Sequence, residues 1–196
     1  MKKFLSLPAE KQNRIVTAAM TLFGEVGYNK AYISEIASAA NISKALIFHY
    51  FASKKGLYAY LVYYTGKIVM TEAQNSRDTE GKDFFERALI TIKFRLTLKS
   101  RYPAMNSFID SVFNEQDEEV AADIERLLAI ATDMHAGIGL LPGEEKLFKS
   151  GALPQYIVKL VDKYAEGVVN SFNSDDSVDE TAKEVAECLN MLKSAL

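Results

Sequence analysis

Apolar and polar positions along this chain recur with a helical period almost throughout, and the first stretches set the pattern. Ile15, Ala19, Leu22, Phe23 and Val26 return every three or four residues and form one stripe. That predicts a first helix from near Pro8, a residue suited to a first turn where no amide donor is needed, to Gly27. Ile36, Ala37 and Ala40 then predict a short helix over Ile33–Ala40, followed by a turn at Asn41–Ile42 and a second helix from Lys44 to about Phe51. Ser43 is placed to cap that second helix, because its hydroxyl can accept an otherwise unpaired amide of the first turn. Asn41 tolerates a left-handed turn position, and Ala37 is small where the two helices would cross. Two short helices joined so tightly make a helix-turn-helix, whose second helix can lie in the DNA major groove. An ordinary corner inside an all-α core would show the same spacing.

The remaining chain continues in the same period. Ser53 opens a long helix that carries Leu57, Leu61, Ile68 and several tyrosines and fades at residues 74–76. Asp83 is a cap for Phe84, Phe85, Ala88, Leu89, Ile92 and Leu96, and Pro103 separates these from Phe108, Ile109, Val112 and Phe113. Asp117 caps the next helix, with Val120, Ile124, Leu127, Leu128, Ala131 and Ile138 inward, until Gly137, Gly139 and Pro142–Gly143 stop it. Two final stripes follow, Leu153, Ile157, Leu160, Val161, Tyr164 and Val168, then Val178, Ala182, Val185, Leu189 and Leu192. No segment sustains a period of two, so the expected class is all-α. The division it suggests is a helix-turn-helix domain over 1–52, a connecting helix over 53–76 and a helical ligand-binding and dimerisation domain over 77–196.

Charge changes this picture. The net charge is −3 over 196 residues, which by itself disfavours nucleic acid. Residues 1–60, however, carry eight Lys/Arg against three Asp/Glu, whereas 61–196 carry fifteen against twenty-three. A basic head on an acidic body implies that only the head meets phosphate. The single cysteine, Cys188, excludes an internal disulfide framework and fits a reducing cytoplasm. With two histidines and no clustered ligand spacing, no metal site is expected. No GxSxG, Walker or Rossmann glycine pattern points to a nucleophile or a cofactor, so the expectation is a protein that is not an enzyme and holds none.

A family resemblance sharpens the head. The segments AAMTLFGEVGY, EIASAANIS and KALIFHYFASKKGLY, within residues 15–58, resemble the N-terminal DNA-binding domain of TetR-family transcriptional regulators. The resemblance implies a cytoplasmic homodimer on palindromic double-stranded DNA, most often a repressor released by a small effector. The DNA-binding set it places here is Tyr32, Ser34, Ser43, Lys44, Ala45, Leu46, Phe48, His49, Tyr50 and Lys54. Among these, His49 is the candidate for a base edge, and Lys44, Tyr50 and Lys54 for phosphate. The chain departs from the family where Ala31 and Tyr32 replace hydroxyl residues, Ala45 a glycine, Leu46 a threonine, Phe48 a tyrosine and Gly56 an acidic residue.

In the body, Tyr64, Phe94, Arg95, Tyr102, Phe108 and His135 are rings and cations that stand, with Ile109, among aliphatic neighbours. They suit an apolar effector pocket with at most one anionic group to satisfy. Ordinary core and rim residues have the same composition. The last two stripes either complete the chain's own core or form a four-helix bundle with a second copy. The dimer reading assigns Ile157, Leu160, Val161, Tyr164, Val168, Val178, Ala182, Val185, Leu189 and Leu192 to that seam. Two rivals are a DNA-binding dimer controlled by a protein partner and, more remotely, a small α-helical enzyme.

Overall fold

The computed structural model describes residues 2–76, 78–135, 138–148, 153–173 and 175–196, with side chains for all of these except 126 and 131–135. Its helices are α1 (Lys2–Leu5), α2 (Ala9–Lys30), α3 (Ile33–Ala39), α4 (Lys44–Phe51), α5 (Lys54–Ser76), α6 (Phe84–Arg101), α7 (Pro103–Asn114), α8 (Ala121–His135), α9 (Pro154–Ser171) and α10 (Val178–Ala195). A 3-10 turn spans Glu144–Leu147. There is no strand among the described residues, and the all-α expectation is met.

The chain packs as two compact units. The first joins residues 1–70 to 102–130, and the second joins 71–101 to 131–196. The N-terminal unit is therefore discontinuous in sequence, unlike the linear division at 52 and 76. Its reason is α7, which lies along α2 more extensively than any other pair of helices meets. The crossing is close because Gly24 has no side chain: a Cβ there would stand 2.5 Å from the Ser107 hydroxyl oxygen and 2.9 Å from its carbonyl carbon. Phe23, Tyr28, Tyr58 and Phe108 fill the interior, with Tyr58 edge-on to Phe23 at 5.1 Å and to Phe108 at 5.2 Å. Phe108, a candidate effector contact, is thus fully buried core.

Several local expectations meet physical qualifications here. Val26 is 39% exposed, so the stripe on α2 stops short of it. Ile138 lies beyond α8, which ends at His135, and is buried in the second unit's core. Asp117 accepts the Glu119 amide in the turn before α8 and does not cap the helix itself. Asp83, by contrast, accepts the amides of Phe85 and Glu86 while its own amide donates to the Glu86 carboxylate. That reciprocal pair is a capping box.

In the second unit, α6 supplies Phe84, Phe85, Ala88, Ile92 and Leu96 to a core shared with Val161, Ala165 and Val169 of α9 and Val185 and Leu189 of α10. Arg87 is buried beside it. Its guanidinium donates to both Glu144 carboxylate oxygens, at 2.6 and 2.8 Å, and to the carbonyls of Gly139 and Lys82. This hydrogen bond holds Glu144 below the usual carboxylate range and Arg87 above its own. Arg87→Met, which strands the carboxylate, is expected to cost about 3 kcal/mol by urea denaturation, and the double change with Glu144→Leu to recover most of it. In the parent the contribution is complete above the ordinary glutamate range, about pH 4.3, and fades as the pH falls through Glu144's lowered value. The single variant should lack that acid dependence.

Candidate nucleic-acid interface

The helix-turn-helix is built from α3 and α4 on the platform of α2 and α5. Asn41 adopts φ 52° in the turn, and the amides of Asn41 and Ile42 bond back to Ser38 and Ala37. Ser43 caps α4 through its hydroxyl, which accepts the Leu46 amide at 3.3 Å. Ile36 and Ala37 of α3 and Ile47 and Phe51 of α4 turn inward. Arg14 on α2 donates from Nε to the carbonyl of Ala40 at 2.8 Å, tying down the C-terminal end of α3. Sequence spacing gave no sign of this role, because the two residues lie 26 positions apart.

One face of α4 is left to solvent. Lys44, Ala45, Phe48 and His49 are exposed there, Leu46 is half-buried, and Ser43 stands at the helix start. Lys44 and Phe48, one turn apart, bring the ammonium 5.8 Å from the ring centre. Tyr32 (65% exposed) and Ser34 open α3 on exposed positions as well. Seven of the ten candidate DNA residues therefore lie at the surface, and Leu46 and Lys54 are half-buried. Tyr50 is buried. It is 7% exposed and packs on Phe4 at 6.1 Å, so its ring belongs to the base of the helix.

Lys54 is also occupied. Its ammonium donates to the Asn29 carbonyl at 3.1 Å and sits 4.5 Å from the centre of the Tyr28 ring. Partial burial pulls Lys54 below its ordinary range, against the opposing pull of Glu119, Asp117 and Glu115. Gly27 (φ 76°) breaks α2 just here, which frees the Tyr28 amide to donate to the Glu115 carboxylate at 2.8 Å. The Tyr28 hydroxyl donates to Glu119, also at 2.8 Å. Burial, then that bond, pushes the phenol well above its ordinary range. Tyr28 and its two carboxylates were missed in the sequence, since nothing in the local pattern links residues some 90 positions apart. Gly56 departs from the family pattern for a visible reason: a Cβ there would meet the Phe51 carbonyl oxygen at 2.1 Å.

The tentative effector residues are divided between the two units. Tyr64, Tyr102, Phe108 and Ile109 belong to the first unit, Phe94 and Arg95 to the second, and the His135 side chain lies outside the described residues. Among the described residues, no group of three or more His, Cys, Asp or Glu side chains is arranged to hold a metal ion. No described helix is long and apolar enough to cross a membrane.

A capped, solvent-facing helix fixed by a tight turn to a buried platform defines a helix-turn-helix DNA-binding protein. The profile of the bacterial regulatory proteins, tetR family, matches residues 15–61. The chain is similar to that family over these head residues. Over 47 residues it is 40% identical to IcaR of Staphylococcus aureus, the negative transcriptional regulator of the biofilm operon icaADBC, across 24% of this chain and 25% of IcaR. The match thus spans about a quarter of the curated relative's length. FadR of Bacillus subtilis, solved in complex with stearoyl-CoA, shares the fold at a TM-score of 0.60 and 17% identity, covering 90% of this chain and 96% of that one. AibR, solved with isovaleryl coenzyme A and operator DNA, does so at 0.65 and 17%, covering 92% and 97%.

Lys54→Met is expected to lower the stability of the head by about 1–2 kcal/mol, through removal of the carbonyl bond and the cation–ring interaction. Urea denaturation followed by tyrosine fluorescence measures it. Unchanged stability together with weakened DNA binding would return Lys54 to a phosphate-binding role.

Proposed function

We propose that the protein is a dimeric, sequence-specific DNA-binding repressor that acts in the cytoplasm. The observation that carries the reading is the exposed Lys44–Ala45–Phe48–His49 face of α4, held by the Ser43 cap and the Arg14 tie. A rigid helix of this kind presents a cation, an imidazole and an apolar ring to base edges, while Tyr32 and Ser34 at the start of α3 offer hydroxyls to phosphate. Repression follows from the likeness of the head to that of IcaR.

The dimer is formed by α9 and α10, on fewer residues than their stripes suggest. Val161, Ala182, Val185 and Leu189 are buried within the protomer. Of the assigned seam, Leu160 is 54% exposed and Ile157, Tyr164, Val168, Val178 and Leu192 are half-buried; Tyr156 (62%) and Met191 (73%) add to the open surface. An apolar groove runs along this side between Leu160, Tyr164, Cys188 and Leu192. Apolar area of this kind is what a second copy covers in a helical bundle.

An effector that prefers one of two head spacings would release the DNA by that difference alone. FadR and AibR hold acyl-CoA compounds, whose phosphates carry more charge than the single anion expected from the sequence. A ligand that raises the melting temperature and lowers DNA affinity identifies the effector; a partner protein that does so favours the alternative.

Selection from a random duplex pool should yield a palindrome with half-sites about one helical turn, roughly 34 Å, apart or somewhat more. His49→Ala should relax the preference at one base position, and Lys44→Ala should lower the salt slope of binding by about 0.9. A selected site unaltered by His49→Ala removes that residue from base reading.

Leu160→Glu, at a position exposed in the protomer, should leave folding intact. It should weaken dimerisation by about 3 kcal/mol, on the order of a hundredfold. Sedimentation equilibrium reads this directly, and a variant as dimeric as the parent would place the interface elsewhere.

A further inference from the structure

The residues before α2 have no part in the helix-turn-helix pattern, yet they are fixed to it. Phe4 is fully buried, with its ring 4.8 Å from Phe51, 6.1 Å from Tyr50 and 5.2 Å from Tyr60. Two of those rings belong to α4 itself. Gln12 on α2 donates its side-chain amide to the carbonyls of Leu7 at 2.8 Å and Leu5 at 3.3 Å, and the Ser6 hydroxyl bonds back to Lys3. The four-residue helix α1 is thereby clamped against the C-terminal half of α4, with Lys2 and Lys3 exposed.

The charge around this clamp is of one sign. Residues 36–60 contain no Asp or Glu, and neither do residues 1–9. Of the eight cations in residues 1–60, Arg14 and Lys54 are bonded to backbone carbonyls. Lys2 and Lys3 are exposed cations carried on the element that touches the end of α4. A lysine on a free tail loses much conformational entropy when it meets a phosphate. A lysine on a helix pinned by a buried aromatic has given up part of that freedom already, as pre-organised groups do.

We infer that α1 is a second DNA-binding element, in which Phe4 anchors Lys2 and Lys3 beside α4 so that they bind backbone phosphates flanking the base pairs α4 reads. This rests on the DNA-binding reading above and extends the footprint of each head beyond its reading helix. The lysines contribute affinity and salt dependence and carry no sequence information, as is general for groups that meet only phosphate. Phe4 is a positioning residue that acts through them.

The test compares the full-length parent with K2A/K3A, Phe4→Ala and Phe4→Leu on the duplex selected from the random pool. Fluorescence anisotropy across a salt series is combined with hydroxyl-radical footprinting. K2A/K3A should keep the selected sequence, bind on the order of tenfold more weakly at low salt, and show a salt slope smaller by about 0.9 for each phosphate left unneutralised. Protection should shrink only at the outer edges of each half-site. Phe4→Ala should reproduce that weakening and Phe4→Leu should restore most of the affinity. The lysine pair is exposed, so its removal tests the interaction without disturbing the core. If the parent binds its duplex and K2A/K3A leaves slope and footprint unchanged, α1 is structural only and this inference falls alone. If the parent binds no duplex, the DNA-binding reading falls and this one with it.

Discussion

The head of this protein depends on how the end of α2 is held. Gly27 interrupts the helix, and an interrupted helix leaves an amide that must find an acceptor when it is buried. Glu115 supplies the acceptor for Tyr28, Glu119 takes the Tyr28 hydroxyl, and Lys54 closes the other side by bonding Asn29 and covering the ring. The ring itself lies edge-on to Tyr58 at 5.0 Å and beside Phe23 at 6.1 Å. The link into α3 is therefore fixed by backbone, side chain and aromatic packing together. Without this fixation, α3 and α4 would have a hinge where they need a base.

Positive charge in the head has two different uses. Arg14 and Lys54 satisfy carbonyls at the ends of α3 and α2, where helix termini leave acceptors unpaired. Lys44, Lys2 and Lys3 stand in solvent and are available to a polyanion. The acidic Glu115–Glu119 segment gathers at Tyr28 and Lys54, so its charge acts on a structural cation. The second unit applies the same logic to a buried cation. Arg87 is tolerated in the interior because two carboxylate oxygens and two carbonyls receive its donors.

Side-chain burial also distinguishes the two sides of the last helices. Their apolar stripes are broad enough to serve two faces. Val161, Ala165 and Val169 meet α6 from one side of α9, while Tyr156 and Leu160 remain uncovered on the other. Cys188 joins the uncovered side, exposed and bordered by Tyr164 and Leu192.

Local information in the sequence sufficed for the helix-turn-helix. The Ser43 cap, the Asn41 turn, the inward Ile36–Ala37–Ile47 set and the Ser53 and Asp83 caps are all decided within a few residues. Helical period and capping are short-range properties, and the exposed face of α4 follows from them. Tertiary structure alone decided the rest. The placement of α7 on α2, the burial of Phe4 and Tyr50, and the Arg14, Tyr28 and Arg87 bonds join residues far apart in the chain. A stripe two faces wide is likewise silent about which face turns inward. Period fixes which side chains share a side of a helix, but only the neighbouring helix determines which of those sides is removed from water.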